Sequence, residues 1–430
     1  MKAENRFLTP PDYEKLIEPI RVDGSLYTSD DVFQQELERI WYKTWVFVGH
    51  TSEIPKSGDY VARHIGLQPV LMVRDRGGNV NVFHNRCTHR GNLIVNTPDG
   101  NLRAITCPYH GWAFNLSGEL VDAPHGKEYT KDFLASNGLN KVKRMSEYRG
   151  FIFASLSPEG PTLLEHMGEA RRFIDRLVEL SPVGEVELTA GWVRHKYRSN
   201  WKMLFENDTD GYHVEYVHKS FVQAMIGSQV PEYVGDGKGK TMPIIRDWGG
   251  GHTELDFGPG YRYNDATFEW LGRADTSKLT DYVTVMEEAY GKEKAREKLI
   301  DGPPHAIIFP NLFIAELSVV IFQPVSANQS VQWHCPVFFK GVPESLNRRM
   351  IRQAEGALGP GGFLVADDQI IAERNQDGLI SDNPKWLDLS RGYGNEKSVE
   401  GLTGVMENSD MTAETTNRSF WKAYKSLMSA

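Results

Sequence analysis

Two short segments of this 430-residue chain each pair a cysteine with a histidine. Cys87 precedes His89 by two positions and Cys107 precedes His110 by three, with 17 residues between the two pairs. A structural zinc site usually takes cysteines from one end of the motif and histidines from the other, whereas here each segment offers one of each. If all four side chains bind one metal centre, both segments must fold as loops that meet at one place, and this requirement constrains the fold more than any other feature.

The mixed pairs match the ligands of a [2Fe–2S] cluster of the Rieske type, in which two thiolates bind one iron and two imidazoles bind the other. A glycine follows closely after each pair, at Gly91 and Gly111, which suits tight loops. The sequence between the pairs contains Pro98-Asp99-Gly100, a turn signal between two strand-like runs. Zinc, or four residues that bind nothing, are the alternatives at this point.

The segments C-T-H-R-G and C-P-Y-H-G-W resemble the Rieske domain of aromatic-ring-hydroxylating oxygenase large subunits. The resemblance implies that Cys87, His89, Cys107 and His110 bind the [2Fe–2S] cluster. A Rieske domain alone is an electron carrier of ordinary domain size. This chain continues for about 320 residues beyond the second pair, so the remainder is expected to use the electrons.

A second candidate metal site lies in the segment SNWKMLFENDTDGYHVEYVHKS, residues 199 to 220. Asp210, His213 and His218 are the residue types of a facial triad, in which two histidines and one carboxylate leave iron positions open for dioxygen. His213 and His218 are five positions apart, which does not fit one face of a regular helix. A distorted helix, or a helix followed by a loop, is needed. The alternative is an amphipathic helix that carries surface histidines.

This segment also resembles the same family, through the pattern N-W-K-x-x-x-E-N-x-x-D-x-Y-H-x-x-x-x-H. The resemblance implies that His213 and His218 bind Fe(II) and that Asp210 is not a ligand. Asp210 would instead bridge His213 of one subunit and His110 of its neighbour, as an electron-transfer residue. A carboxylate between two imidazoles orients both rings. Asn207 is placed with Asp210 among the catalytic residues.

The third iron ligand is expected from the segment GALGPGGFLVADDQIIAE, residues 356 to 373. It resembles the family's G-P-x-G-x-x-x-x-D-D pattern, in which the second aspartate is the ligand, and this implies Asp368. Asp367 is the alternative ligand. The alternative for both aspartates is that they cap the helix N-terminus, where acidic side chains are favoured. Gly359, Pro360 and Gly362 are expected to separate this helix from the one before it.

The fold class predicted from these sites and from the remaining pattern is α+β. An N-terminal helical segment, 1–45, includes the N-capped run SDDVFQQELERIWYKT and is expected to pack on the catalytic domain. Short strand-like runs predict an all-β Rieske domain at 46–155. The resemblance implies that 156–430 is a catalytic domain with a curved antiparallel sheet gripped by helices, a START-like arrangement. The runs HAIIFPNLFIAEL, SVVIFQPVS and VQWHCPVFFK predict three of its strands, with Cys335 in the core.

The glycine-rich segment DWGGGHTELDFGPGYRY, residues 247 to 263, is expected to be a mobile loop. It would be either a surface excursion or a lid at the mouth of the substrate pocket. Residues expected near the iron ligands are candidates for the pocket wall: Asp208, Val214, Phe309, Asn311 and Leu364.

Composition excludes several other classes of protein. The net charge of −9 argues against nucleic-acid binding, and no apolar run approaches the roughly 20 residues that cross a bilayer. The N-terminal residues have no apolar signal region, and three cysteines make no disulfide framework, so a cytoplasmic location is expected. Two alternatives come from other functional classes: an electron carrier with a vestigial second site, and a zinc-binding interaction protein.

The expected partners follow from the resemblance and from one missing motif. No G-x-G-x-x-G fingerprint opens a helix after a strand, so NAD(P)H would act only through a separate reductase, with or without a ferredoxin. The resemblance implies dioxygen as co-substrate, a small β subunit and an α3β3 or α3 oligomer. The product would be a cis-dihydrodiol or a hydroxylated ring. A monooxygenase, such as a salicylate hydroxylase or a dealkylase, is the alternative.

The substrate is the least constrained prediction. The segments TAETTNRSFWKAYKSLM and LFENDTDGYH resemble the terephthalate, salicylate and anthranilate branch, which implies an aromatic carboxylate. A carboxylate in a partly dry pocket needs an arginine or comparable donors, and Arg246, Arg262 and Arg352 lie in the catalytic half. Asp208 is unusual in this position, because it would repel a carboxylate or meet an amine. An aniline-type substrate is therefore an alternative.

Overall fold

The computed structural model describes residues 11–221, 243–261, 267–272, 274–359 and 361–430. Its chain forms two compact units. One unit comprises Trp41–Leu163, and the other comprises the chain up to Ile40 together with Leu164–Ala430.

The Trp41–Leu163 unit is built from three small antiparallel sheets, as the short glycine-broken strand runs predict. In spatial order these are Val80–His84, Gln68–Arg74, Asp59–Ile65 and Asp99–Asn101; then Leu120–Asp122, Ala113–Phe114 and Ile105–Thr106; and finally Arg144–Tyr148, Phe151–Ser155 and Val46–His50. Ile65 pairs with Gln68 across a two-residue turn, where Gly66 takes a φ of 55° that other residues rarely adopt. The single α-helix among its described residues, Lys131–Ser136, is capped by the Thr130 side chain.

The second unit is organised around a nine-stranded antiparallel sheet. Its strands, in spatial order, are Val193–Tyr197, Gln329–Pro336, Ser318–Ser326, Leu312–Ala315, His305–Ile308, Thr253–Asp256, Ile244–Asp247, Met406–Asn408 and Lys397–Ser398. The three runs predicted from the sequence lie side by side in this order but supply four strands of this sheet, because the run at 305–317 forms the two strands His305–Ile308 and Leu312–Ala315. Cys335 is fully buried there, as predicted.

Helices pack on this sheet and complete the α+β fold. The longer described ones are Asp30–Glu36, Arg172–Val178, Trp201–Asp208, Thr280–Tyr290, Lys292–Asp301, Glu344–Leu358, Leu364–Gly378 and Thr415–Ser429. The motif helix, Trp201–Asp208, lies against strands Ser318–Ser326 and Gln329–Pro336, and the aspartate helix, Leu364–Gly378, lies against strand Val193–Tyr197. No helix among the described residues is long and apolar enough to cross a membrane.

The prediction of a mobile loop at 247–263 is wrong for most of that segment. Thr253–Asp256 is a buried strand inside the nine-stranded sheet, and its neighbour is Ile244–Asp247. The alternating pattern of T-E-L-D places Glu254 and Asp256 on one face, where both carboxylates bind Arg176 and Arg246. Gly249, Gly250 and Gly251 form the turn between the two strands, whereas Gly258 and Gly260 lie in the short helix Gly258–Tyr261. Residues 262 and 263 lie outside the described residues.

A buried ion pair and its hydrogen bonds connect the motif helix to the N-terminal segment and to the C-terminal helix of this unit. Glu36 accepts hydrogen bonds from Lys202 Nζ, from Tyr424 Oη at 2.6 Å and from Trp201 Nε1 at 2.8 Å. Neither charged side chain of the Glu36–Lys202 pair has any exposed surface. The N-terminal segment and the C-terminal helix therefore both hold the helix from which the histidine motif continues.

Candidate functional site

The two cysteine–histidine pairs lie in two loops of the Trp41–Leu163 unit. Cys87 and His89 follow strand Val80–His84, and Cys107 and His110 lie between Ile105–Thr106 and Ala113–Phe114. Each loop is closed by a backbone hydrogen bond, from Gly91 N to Cys87 O at 3.0 Å and from Gly111 N to Cys107 O at 3.1 Å. Both glycines have positive φ, 71° and 73°, which explains why glycine follows each pair.

The four predicted cluster ligands come together in these loops. Cys87 and Cys107 are buried, and their thiols are close enough for one to affect the ionisation of the other. The rings of His89 and His110 lie 4.6 Å apart, and Trp112 stacks on His89 at 4.7 Å. His89 is half-buried and His110 is exposed. The histidine side of the site therefore faces the surface of the unit, while the cysteine side faces the core.

The chemistry of these four residues fits a Rieske cluster. Burial raises the pKa of the Cys87 thiol, so a thiolate there needs a cation to stabilise it. The Nδ1 atom of His89 is buried and has no hydrogen-bond partner among the described residues. Two thiolates and two neutral imidazoles on facing loops supply one iron with sulfur and the other with nitrogen.

The second site forms where the motif helix ends. The helix Trp201–Asp208 begins at the N-cap Asn200, whose side chain accepts from Lys202 N, and it stops before Asp210. A one-turn helix, Val214–Val217, follows, and His213 and His218 flank it on either side. This interrupted helix satisfies the geometric condition that the five-residue spacing imposed. Gly211 makes the bend possible, because a Cβ at this position would lie 2.4 Å from the carbonyl oxygen of Met411.

His213, His218 and Asp368 form a compact group of ligand atoms. The Nε2 atoms of the two histidines are 3.2 Å apart, and Asp368 Oδ1 lies 3.1 Å from His218 Nε2 and 3.6 Å from His213 Nε2. Among the described residues this is the one group of three or more histidine, cysteine and acidic side chains that could hold a single metal ion, and its ligand atoms all lie within 4.8 Å of one another. The carboxylate comes from the aspartate helix, more than 140 residues further along the chain.

Two further carboxylates lie behind the histidine rings. Asp210 Oδ2 is 3.1 Å from His213 Nδ1, and Asp367 Oδ2 is 3.7 Å from His218 Nδ1. Burial opposes the charged form of His213, but the hydrogen bond and the charge of Asp210 outweigh burial and raise its pKa. Carboxylates in this position orient imidazole ligands and make them more basic. The geometry favours Asp368 over Asp367 as the ligand, because Asp367 is beside the opposite ring nitrogen.

The donor set fits an iron ion with open coordination positions. Asp368 Oδ1 is buried and has no hydrogen-bond partner among the described residues, and an unpaired buried polar atom of this kind calls for a ligand or an ion. Two imidazole nitrogens and one carboxylate oxygen are the ligands of non-haem Fe(II) in oxygenases. The alternative in which the two aspartates only cap their helix explains less of this arrangement, because no side chain makes a capping hydrogen bond at the N-cap of that helix.

Asp210 also borders open space. A cavity of about 490 Å³ is lined by Glu206, Asn207, Asp210 and His213, together with residues of the aspartate helix and the segment after it. Asp210 retains 19% of its side-chain surface. The carboxylate that contacts His213 is therefore accessible from outside the unit.

The structure places the candidate residues of the pocket wall in two different environments. Asp208, Val214 and Leu364 are half-buried beside the ligand group. Phe309 and Asn311 are each 1% exposed, and the Phe309 ring packs between Phe205 and Phe420 at 5.8 and 6.1 Å. Phe309 therefore belongs to the aromatic core of the unit.

The arginines considered as partners of a substrate carboxylate either bind other carboxylates or lie on an exposed helix face, where the structure describes them. Arg246 binds Glu254, Asp256 and Glu407 at 2.7 to 3.1 Å. Arg352 is exposed on the helix Glu344–Leu358. Arg262 lies outside the described residues. Arg246 thus neutralises buried carboxylates of the sheet.

The sequence patterns did not identify a set of polar residues that surrounds Asp208 beside the iron ligands. Asp208 Oδ2 accepts a hydrogen bond from Gln332 Nε2 at 2.8 Å, and Gln332 Oε1 accepts from Tyr197 Oη at 2.6 Å. His305 Nε2 donates to the Asp208 carbonyl oxygen at 2.7 Å. Three different strands bring His305, Gln332 and Tyr197 to the end of the motif helix, and no local motif marks them.

Comparisons with known proteins agree with this geometry. A model of the Rieske [2Fe-2S] domain matches residues 44–141, and a model of the ring hydroxylating alpha subunit (catalytic domain) matches residues 185–430. The anthranilate 1,2-dioxygenase large subunit of Acinetobacter baylyi is 32% identical over 383 residues, 87% of this chain and 80% of that protein. The 2-halobenzoate 1,2-dioxygenase large subunit of Burkholderia cepacia is 28% identical over 387 residues, 86% and 80% of the two chains.

A solved structure shares the fold. A naphthalene 1,2-dioxygenase mutant bound to phenanthrene matches 98% of this chain and 96% of its own, with a TM-score of 0.83 and 24% identity. The family, the α+β fold, the enzyme class and the two iron cofactors predicted from the sequence are confirmed. The chain belongs to the large (alpha) subunits of the ring-hydroxylating dioxygenases, oxidoreductases that join a Rieske [2Fe-2S] domain to a catalytic domain of the mononuclear iron type.

Proposed function

We propose that this chain is the oxygenase component of a multicomponent system that dihydroxylates an aromatic ring bearing a carboxylate. The observation that carries the proposal is the compact group of His213, His218 and Asp368, with ligand atoms within 4.8 Å of one another. The substrate class is supported by the relatives that act on anthranilate and on 2-halobenzoate. Both are benzoate-type compounds.

His213, His218 and Asp368 would hold Fe(II) from one side and leave its other positions open. Fe(II) bound in this way, supplied with electrons, activates dioxygen for attack on the ring. Asp210 would orient the ring of His213 by its hydrogen bond to Nδ1, and Asp367, which lies 3.7 Å from His218 Nδ1, would act on that ring through its charge. Both histidines would then present Nε2 to the metal in a single orientation.

Cys87, His89, Cys107 and His110 would hold the [2Fe–2S] cluster, which stores one electron at a time. Electrons would come from NAD(P)H through a separate reductase, with or without a ferredoxin. Since His110 is exposed on its unit and Asp210 borders an open cavity, Asp210 is proposed to link His213 to His110 of a neighbouring subunit. Asn207, which lines the same cavity, is proposed to help place that contact.

This electron path requires more than one copy of the chain. An α3 or α3β3 oligomer with a small β subunit supplies the neighbouring His110 to each Asp210. Relatives named as large oxygenase components belong to dioxygenase systems with several parts. An oligomer in solution and its loss of turnover on dissociation would support the arrangement.

The test is a single turnover with labelled dioxygen. Iron-loaded, reduced protein is mixed with a panel of benzoates, salicylates, phthalates and anilines, and the product mass is read. Two labelled oxygens on the ring of a benzoate-type product would support the proposal. One labelled oxygen would replace it with monooxygenation, and oxidation of anilines alone would overturn the carboxylate class.

A further inference from the structure

We propose that Asp208 and His305 are specificity-determining residues that hydrogen-bond an amino or hydroxyl group on the aromatic ring of the substrate. This inference rests on the proposed function, since it concerns the substrate of the same site. It is carried by the accessible surface that these two side chains keep near the iron ligands, and by the groups that lie behind them.

Asp208 and His305 are both enclosed by protein, yet each residue is only half-buried by accessible surface. Each side chain therefore keeps some accessible surface, which a small molecule could contact. The residues behind them are fully buried instead: Gln332 is 3% exposed and Tyr197 is 1% exposed. The polar group therefore has a front layer that keeps accessible surface and a back layer that supports it.

Asp208 and His305 lie near the proposed iron ligands. Burial raises the pKa of Asp208 well above its ordinary value, and the nearby charge of Asp368 adds to this. The pKa of His305 is lowered to about 4, mainly by burial, and the site residues His213 and Asp368 are near enough to influence it. The hydrogen bond from His305 Nε2 to the Asp208 carbonyl oxygen joins the two at 2.7 Å. Both side chains thus border one face of the site.

The hydrogen-bonding capacity of this face is specific. A neutral His305 that donates through Nε2 has an acceptor lone pair on Nδ1. Asp208 Oδ2 accepts a hydrogen bond from Gln332 Nε2, and the Asn207 side chain also hydrogen-bonds the Asp208 carboxyl group. A carboxyl oxygen can take part in more than one hydrogen bond, so Asp208 keeps capacity for a ligand. Gln332 is held in turn by Tyr197 Oη and by His334 Nε2, at 2.6 and 3.2 Å. The back layer therefore fixes the orientation of Asp208.

The substituent that fits is one that both donates and accepts. An amino or hydroxyl group would donate to His305 Nδ1 and pair with the carboxyl group of Asp208. A methyl group or a halogen of similar size would leave these enclosed polar atoms without partners, which a site built for hydrogen bonding penalises strongly. A carboxylate is disfavoured at the same face, because it can only accept hydrogen bonds and His305 Nδ1 is itself an acceptor. The ring carboxylate is therefore expected to point away from Asp208.

The experiment compares amino-substituted and methyl-substituted benzoates at each ring position, because the two groups are nearly equal in size. Dissociation constants are measured by calorimetry on the reduced, iron-loaded holoenzyme, and kcat/KM is measured with the reductase present. We expect the native enzyme to prefer the amino compound at one ring position by at least about tenfold in both quantities. Equal binding of amino and methyl compounds at every position would overturn the inference.

Three variants connect the preference to the residues. Asp208→Ala and His305→Phe should each reduce the preference to within about twofold, while the iron content and the cluster spectrum stay the same. Asp208→Asn keeps hydrogen bonding and should retain most of the preference. Asp247→Ala, the same change at a half-buried aspartate in the turn of the sheet, serves as the control and should leave the preference unchanged. A preference that survives both Asp208→Ala and His305→Phe would contradict the proposal.

Failure of the proposed function is separable from failure of this inference. The preference is read from dissociation constants, which need no turnover. If the loaded enzyme binds amino-substituted benzoates selectively but oxidises none, the proposed function fails and the Asp208–His305 assignment stands. If it oxidises methyl and amino compounds with equal efficiency, the assignment fails and the proposed function stands.

Discussion

Replacing Glu36 with glutamine is expected to destabilise the catalytic unit severely. The side chains of Glu36 and Lys202 have no exposed surface, and Glu36 accepts hydrogen bonds from Lys202, Tyr424 and Trp201. Burial lowers the pKa of Lys202, while the charge of Glu36 opposes that shift. In the Glu36→Gln variant the hydrogen-bonding atoms largely remain but the opposite charge is lost. Lys202 must then stay charged and unpaired or release its proton.

The expected loss of unfolding free energy follows from the complete burial of this ion pair. Removal of one partner from a fully buried ion pair costs about 3–5 kcal/mol, which is a large part of the roughly 5–15 kcal/mol that stabilises a typical domain. The double variant Glu36→Gln/Lys202→Met removes both charges and fills the space with an apolar side chain of similar length. It should recover most of the loss, since apolar replacements of buried pairs are often neutral.

The assay is urea unfolding followed by tryptophan fluorescence, since Trp201 and Trp421 are buried near this cluster. The unfolding midpoint of the catalytic unit should fall steeply in Glu36→Gln and return in the double variant. Iron content should follow the same order, because Lys202 lies on the helix that leads to His213. A loss below about 1 kcal/mol in the single variant, or a double variant no better than the single one, would refute the reasoning.

Two further predictions concern neighbouring carboxylates. Asp210→Asn should keep the cluster spectrum and the mononuclear iron but lower turnover by at least about tenfold, measured as dioxygen uptake per chain, because the contact with His213 Nδ1 is weakened; unchanged turnover would remove Asp210 from the electron path. Burial raises the pKa of Glu206 to about 7 from 4.5, so the folded chain keeps a proton that the unfolded chain has released, and this contribution to stability falls as pH rises from about 4.5 to about 7. Glu206→Gln should flatten the decline in unfolding free energy over that range, and an unaltered pH profile would show that Glu206 is ionised in the folded protein.

Local sequence patterns predicted the parts of the fold that depend on local physics. The glycines after each cysteine–histidine pair predicted tight loops, and Gly91 and Gly111 both have the positive φ that only glycine adopts easily. The five-residue spacing of His213 and His218 required a broken helix, and a one-turn helix separates them. In these cases the determining interactions lie within a few residues of one another.

Other features depend on contacts between distant segments and could not be predicted in this way. The segment after Trp248 is rich in glycine, yet Thr253–Asp256 is a buried strand because its acidic side chains bind Arg176 and Arg246. Phe309 was expected in the pocket but packs in the aromatic core. His305 and Gln332 reach the site only because the order of strands in the sheet brings them to the end of the motif helix.

The most direct test of the central claim is the iron content of two neighbouring variants. The account assigns the mononuclear iron to His213, His218 and Asp368, with Asp367 beside the opposite nitrogen of His218. Asp368→Ala should lose the iron that is additional to the cluster while the Rieske absorption and EPR signals persist. Asp367→Ala should retain most of that iron. Loss of iron in Asp367→Ala, with full iron in Asp368→Ala, would contradict the assignment.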